Sequence, residues 1–346
     1  MAPSSTSPPT SPPHTSQNGE NGENSQNALW TLQDVPGKGK GLVVTQDVTP
    51  GTCLLSEAPL ITTEIITSFD MDSTEQQLLG ALNKLPKADQ ERYRSLHNNF
   101  SDSDPTHPLS GIVRSNAYPL GVEEEVGGVF ADIARINHSC RPNVVQYWNP
   151  LFEKMTIYAV RAIPKGTEIT TSYIPGGVSQ ERKQILKDHF GFDCTCELCS
   201  LPEDKLRQSD ERIARAEKLD EMIGNSKNIY YAPEEVMKNA RSLLNIYEQE
   251  GIKDGRLSRL YFDLFQMCNM HGDLARARCF VKYHCDLKKL AEGKDSKNVY
   301  EVLLYVKSPQ KHGSYEPDGK WKTAASDVPK GMKATEFANW LWRGNI

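Results

Sequence analysis

No stretch of this 346-residue chain approaches the run of about 18 apolar residues that a membrane helix needs, so neither a span nor a membrane partner is expected. Positive charge is not in surplus either: 40 Lys and Arg stand against 45 Asp and Glu, a formal net charge of −5. That balance argues against a standing grip on nucleic-acid phosphates and leaves basic peptides as better-matched partners. The segment 1–27, MAPSSTSPPTSPPHTSQNGENGENSQN, holds no Lys, no Arg and no apolar core. It is expected to be neither a transit nor a signal peptide but a disordered tail. Without secretion, a disulfide framework for the eight cysteines loses its setting, and metal binding becomes the better expectation. Enough apolar material remains for a core: 38% hydrophobic and 25% charged residues, in a length that suits two domains.

From Trp30 to about Tyr173 the text is strand-like and rich in turns. GLVVTQDVTPGTCLLSEAPLI (41–61) reads as two short strands about Thr49-Pro50-Gly51, and KMTIYAVRAIPKGTEITTSYI (154–174) as two more about Ile163-Pro164-Lys165-Gly166. Between them Leu78, Leu82 and Leu85 recur at helical spacing, which predicts a small helical insert over about 69–111. After Ser200 the periodicity turns helical throughout. Val236, Ala240, Leu243, Leu244 and Tyr247 share one face, with Pro233 suited to the first turn and Gly251 to the stop. Leu257, Leu260, Tyr261, Leu264 and Phe265 repeat the pattern up to Gly272, and Asp273 is placed to cap a third helix through Leu274, Ala277, Val281 and Leu290. Tetratricopeptide-type repeats and an ordinary helical bundle fit these helices equally well. Strands followed by helices, with little alternation, indicate an α+β fold.

Two stretches carry chemistry. Arg135-Ile136-Asn137-His138-Ser139-Cys140 packs an amide, an imidazole and a thiol together, and Asp193–Cys199, DCTCELC, sets three thiols within six residues. Cys194-x-Cys196-x2-Cys199 suits a tetrahedral zinc ion, with one ligand outstanding. Cys140 is the natural fourth, and His138 and His189 are its rivals. Cys53, Cys268, Cys279 and Cys285 show no such spacing and are expected to be ordinary core residues.

GKGKGL, RINHSC-RPN, GTEITTSYI and FGFDCTCELC stand in the order and spacing of a SET-domain lysine methyltransferase with its cysteine-rich post-SET segment. The whole resembles most closely the SET-and-MYND group and its fungal relatives, over about residues 30–200 and more loosely beyond. The resemblance implies short sheets threaded in a knot-like way and a division into a SET domain (28–178, insert about 69–111), a post-SET zinc segment (179–202) and an all-helical C-terminal domain (203–346). It implies protein-lysine N-methylation with S-adenosylmethionine, and it carries roles over residue by residue. Lys38, Gly39, Lys40 and Gly41 match the first cofactor loop; Asn137 and His138 match the pair that touches the cofactor's amine and adenine ends, mostly through the backbone. Tyr173 matches the catalytic tyrosine, Phe192 the aromatic packed on the adenine, and Cys140, Cys194, Cys196 and Cys199 the ligands of a structural zinc. Asn116, in RSNAYPLG, is a further candidate to reach the cofactor.

The resemblance has gaps. Residues 69–111 carry no cysteine, so the MYND finger is missing, and Lys40 stands where relatives often carry Asn or Arg. The expected substrate is a lysine of a histone or non-histone protein, with the number of methyls tuned around Tyr158 and Tyr173. The helical C-terminal domain is a candidate surface for protein partners, and a monomer without direct nucleic-acid binding is expected. No cluster of basic residues separates nucleus from cytoplasm. The competing reading is a catalytically weak SET-fold scaffold that acts through its helical half; the presence of Tyr173, Asn137 and His138 favours the enzyme.

Overall fold

Strands this short, interrupted by Gly and Pro, cannot build one broad sheet. In the computed structural model, which describes residues 28–121 and 125–344, they form four small ones. The segment expected to be a disordered tail lies outside the described residues. In chain order the strands are β1 (Trp30–Val35), β2 (Gly39–Val44), β3 (Cys53–Glu57), β4 (Ile61–Thr62) and β5 (Tyr118–Pro119), then β6 (Gly127–Val129), β7 (Asn137–His138), β8 (Val144–Asn149), β9 (Lys154–Ala159) and β10 (Thr170–Thr171). The helices are α1 (Met71–Leu82), α2 (Lys87–Arg94), α3 (Pro108–Asn116) and α4 (Ser179–Phe190), followed by α5 (Glu203–Gly224), α6 (Ser226–Tyr231), α7 (Pro233–Glu250), α8 (Gly255–Met270), α9 (Leu274–Glu292), α10 (Lys297–Lys307) and α11 (Ala334–Leu341).

β1 and β2 form an antiparallel hairpin that pairs Trp30 with Val44 and Val35 with Gly39. Its tight connection is possible because Gly37 and Gly39 both take φ 73°, a region closed to most side chains. The two predicted strand pairs do exist as strands flanking their turns, but neither pair bonds to itself. β3 lies antiparallel to β9, which continues into the β8 hairpin. The turns themselves meet instead: Val48 and Ile163 each donate an N–H to the other's carbonyl at 2.9 Å. Leu42, Val44, Ile133, Ile136, Val144, Ile157 and Ile169 close the core under these sheets.

β7 and β10 run parallel, Asn137 opposite Thr170 and His138 opposite Thr171. Ser139 and Asn143 extend the contact by donating their N–H groups to the carbonyls of Thr171 and Thr170, at 2.9 and 3.1 Å. The Asn-His segment is thus laid directly beside the strand that leads to Tyr173.

In the insert, Leu78, Leu82 and Tyr93 are fully buried and Leu85 packs at the edge of the same cluster. α3 joins it because Glu75, on α1, accepts the N–H groups of Leu109 and Ser110 at 2.8 Å each. Beyond the strands, the three helices expected from periodicity are present as α7, α8 and α9. α7 opens on Pro233 and stops at left-handed Gly251, and Asp273 caps α9 by accepting the Arg276 N–H. The 22-residue α5, whose mostly charged surface hides its narrow stripe of Ile213, Ala216, Leu219 and Ile223, was not foreseen. Among the described residues no helix is long and apolar enough to cross a membrane.

Candidate active site

The tight β1–β2 turn presents Gly37–Lys40 at the rim of a cavity of about 800 Å³. Asn137 and His138, on β7, form its floor; Tyr173 and Phe190–Cys196 form another wall, and Ser95–Asn99 of the insert with Ser115 and Asn116 at the end of α3 complete the lining. The volume is in the range of small-molecule and cofactor sites. Of the residues expected at the cofactor, Lys38, Gly39, Lys40, Asn116, Asn137, His138, Tyr173 and Phe192 all line this one cavity.

Gly41 does not line it, and its role is different. A Cβ at Gly41 would stand 2.7 Å from Val35 Cγ2 and 2.8 Å from Asn137 Nδ2, so the bare backbone is what lets Asn137 come close. Asn137 then spends its amide on the protein, donating to the Lys40 carbonyl at 3.1 Å and to Glu168 Oε1 at 2.8 Å. Lys38 does the same, with its ammonium 2.7 Å from Glu168 Oε2. The Lys40 side chain turns outward to Asp34, and only its backbone serves the site. Asn116 donates to the carbonyls of His97 and Ile112, both at 2.7 Å, which leaves its Oδ1 as the atom free to meet a ligand.

Tyr173 is held at both ends. Its N–H donates to His138 Nδ1 at 3.0 Å and its hydroxyl donates to the Ile136 carbonyl at 2.8 Å. Burial, and then the nearby Glu168 carboxylate, push the phenol above its ordinary range, so it stays a neutral O–H. Burial lowers His138 to about 4, so the ring is neutral. Because Nδ1 accepts from Tyr173, the proton sits on Nε2, 3.3 Å from the Cys140 sulfur. α4 ends on left-handed Gly191, φ 75°, and that reversal delivers Phe192 to within 6.4 Å of the Tyr173 ring and 6.1 Å of His138. Phe190 comes closer still, its ring 5.0 Å from that of Tyr173.

Directly behind this aromatic wall the sulfurs of Cys140, Cys194, Cys196 and Cys199 all lie within 4.8 Å of one another. Cys140 is 4.0 Å from Cys194 and 3.6 Å from Cys199. Four thiolates around one zinc ion at about 2.3 Å would stand about 3.8 Å apart, so the donor set fits the ion. The bare sulfurs cannot ionise together: hydrogen bonding with Cys194 holds Cys140 far above the ordinary thiol range, and hydrogen bonding with Cys140 pulls Cys196 far below it. A dication is what would hold all four as thiolates. His138 stands beside the cluster as a partner of Cys140 rather than within it, and His189 is not among the grouped residues.

Glu168 and Phe190 are the functional candidates that reading the motifs passed over. Glu168 lies inside the quoted GTEITTSYI, and its signal was a lone carboxylate among β-branched residues. The insert wall of His97, Asn98 and Asn99 had no local signal at all. Tyr158, expected near the reacting centre, is absent from the cavity lining: its hydroxyl faces Gly293, where an added Cβ would lie 2.2 Å from it. β9 alternates, and Tyr158 falls on the side that meets the helical half.

A SET domain family model matches residues 39–174. The chain is 34% identical over 291 residues to Histone-lysine N-methyltransferase set5 of Schizosaccharomyces pombe, covering 83% of this chain and 86% of that one. N-lysine methyltransferase SMYD2 of Homo sapiens is 32% identical over 149 residues, covering 40% of this chain and 33% of its own length. The SET domain of LSMT bound to lysine and AdoHcy, a solved structure, covers 92% of this chain at 10% identity and a TM-score of 0.32, too low for residue correspondences. The family match runs from the first glycine loop to the residue after Tyr173, and the yeast relative aligns along most of both chains; this chain belongs to the SET-domain family.

Proposed function

We propose that this protein-lysine N-methyltransferase uses S-adenosylmethionine and methylates a lysine of a histone or another protein inside the cavity closed by Tyr173 and Phe192. One observation carries the reading. Loop 37–40, the Asn137-His138 pair, Tyr173 and Phe192 are far apart in the chain and line a single cavity of about 800 Å³. The relative from Schizosaccharomyces pombe is named for histone lysine, which makes histones the first substrates to try and nuclear action the natural expectation.

S-adenosylmethionine, when bound, would supply the methyl as a sulfonium, the C–S electron pair staying on sulfur as the new N–C bond to lysine forms. For that attack the amine must be neutral, and at pH 7 only about 4 in 10,000 ordinary lysines are. The aromatic wall of Tyr173, Phe190 and Phe192 disfavours the ammonium by desolvation, so a strong general base is not required. The Tyr173 hydroxyl donates its hydrogen bond to the Ile136 carbonyl, which leaves the oxygen lone pairs to receive weak C–H···O contacts or to orient the amine. Cys140, Cys194, Cys196 and Cys199 would hold a structural zinc that fixes the segment carrying Phe192.

The test is transfer of tritiated methyl from S-adenosylmethionine to histones and peptide arrays by the purified full chain. Tyr173→Phe should lower kcat by about a hundredfold. Its affinity for S-adenosylhomocysteine, measured by calorimetry, should stay within about threefold of the parent. A parent chain that transfers no label to any protein, or a Tyr173→Phe variant that loses the nucleoside rather than turnover, defeats this assignment.

A further inference from the structure

We propose that Glu168 is a positioning residue for the cofactor site, a carboxylate brace that couples the first glycine loop to the Asn-His segment through Lys38 and Asn137. The proposal rests on the reading of the cavity as a cofactor site. Glu168 is not in the cavity lining, whereas Lys38 and Asn137 both are. Its two oxygens are divided between them: Oε2 meets the Lys38 ammonium at 2.7 Å and Oε1 accepts from Asn137 Nδ2 at 2.8 Å. The second Asn137 N–H goes to the Lys40 carbonyl at 3.1 Å, so the brace closes back on the loop it starts from.

Several features mark this as more than a surface ion pair, which alone would be worth little. The Glu168 side chain is only 16% exposed. Its backbone is pinned as well, since its carbonyl accepts from Asn143 Nδ2 at 2.8 Å and the neighbouring Ile169 N–H bonds to the Leu42 carbonyl at 2.7 Å. The space beside it is reserved: a Cβ on Gly41 would come within 3.0 Å of Oε1. Loop 37–41 has little burial of its own at Gly37–Lys40, so without the brace it is tethered mainly by its hairpin bonds. The arrangement also assigns Lys38. Its ammonium is engaged by Glu168 and holds the loop in place for its backbone to meet the nucleoside.

The experiment is a double-mutant cycle of Glu168→Gln and Lys38→Met in the full chain. Glutamine keeps the volume and an acceptor for Asn137 and removes only the charge that Lys38 needs. Each single change should weaken S-adenosylhomocysteine binding by about tenfold. The double change should be no worse than either one, because both break the same contact. KM for S-adenosylmethionine should rise by a similar factor while kcat stays within about threefold, and amides 37–41 should exchange hydrogen faster in all three variants. Multiplying effects, or a Lys38→Met loss that Glu168→Gln does not share, would mean that Lys38 grips the nucleoside directly, and the brace is overturned. If the parent itself binds no nucleoside, the cofactor reading fails separately, and hydrogen exchange still decides: unchanged rates at 37–41 in Glu168→Gln reject the brace, faster rates support it. Should Glu168→Gln not fold, Lys38→Met on the more exposed partner gives the same exchange reading.

Discussion

At the scale of single residues the site is governed by room. Gly41 faces Val35, Asn137 and Glu168 so closely that a methyl group has nowhere to go without moving the Asn137 amide. Gly41→Ala should therefore cost about 1–3 kcal/mol in urea denaturation and weaken nucleoside binding in the same variant. Unchanged stability would show that the loop relaxes freely. Much of this scale was readable beforehand, because glycine, cysteine and tyrosine within quoted motifs carry their chemistry with them. What was not readable is direction. Lys38 and Asn137 were expected at the cofactor, Asn137 mostly through its backbone, but that both would turn their side chains to Glu168 was not foreseen. Which way a long side chain turns depends on the partner folded beside it, and here that partner is 130 residues from Lys38 and 31 from Asn137.

At the scale of elements, α4, left-handed Gly191 and the cysteine segment act as one unit. Leu186, Ile174 and Leu198 pack around the sulfurs, and Phe190 and Phe192 project from the same few residues toward Tyr173. The unit is too small to hold its shape by burial alone, which is where a structural metal contributes most. Removing zinc with a chelator should accelerate hydrogen exchange across 191–199 and lower the melting temperature, and re-addition should reverse both. Cys196→Ser should mimic the stripped protein. Equal exchange with and without chelator would deny the metal its role. The spacing Cys194-x-Cys196-x2-Cys199 announced this element. Nothing in its spacing could choose among Cys140, His138 and His189 as fourth donor, since all three choices were compatible until β7 was laid beside β10.

At the scale of the molecule, the two halves are joined behind the sulfur cluster. Glu250, at the end of α7, is buried and accepts from Arg141 at 2.8 Å, Ser209 at 2.6 Å and Arg212 at 2.5 Å. Arg141 follows Cys140 directly, so this carboxylate ties the helical half to the sulfur cluster; Arg161 adds a bond to the Gly251 carbonyl at 2.8 Å. Burial alone would raise the Glu250 carboxyl, but the bonds from Ser209, Arg212 and Arg141 outweigh it and hold it below its ordinary range. A depressed folded pKa means stability that is present above the unfolded value, about 4.3, and is lost as pH falls below it toward the folded value. Glu250→Gln should cost about 3 kcal/mol near neutral pH and should flatten the acid dependence of unfolding, followed by urea titrations from about pH 6 down to pH 3. An unaltered acid slope would place the sensitivity elsewhere.

By itself the sequence determined the parts whose physics is local: the α+β order, the helices α7 to α9 from their apolar periodicity, the stop at Gly251, and a thiol cluster suited to zinc. Tertiary structure alone decided which distant groups share a wall. The parallel contact of β7 with β10, the brace from Glu168, the insert wall of His97 and Asn98 and the seam at Glu250 all join residues whose separation along the chain leaves no periodic trace. Contacts of that kind depend on how loops close and cores pack, and no short window of residues contains that information.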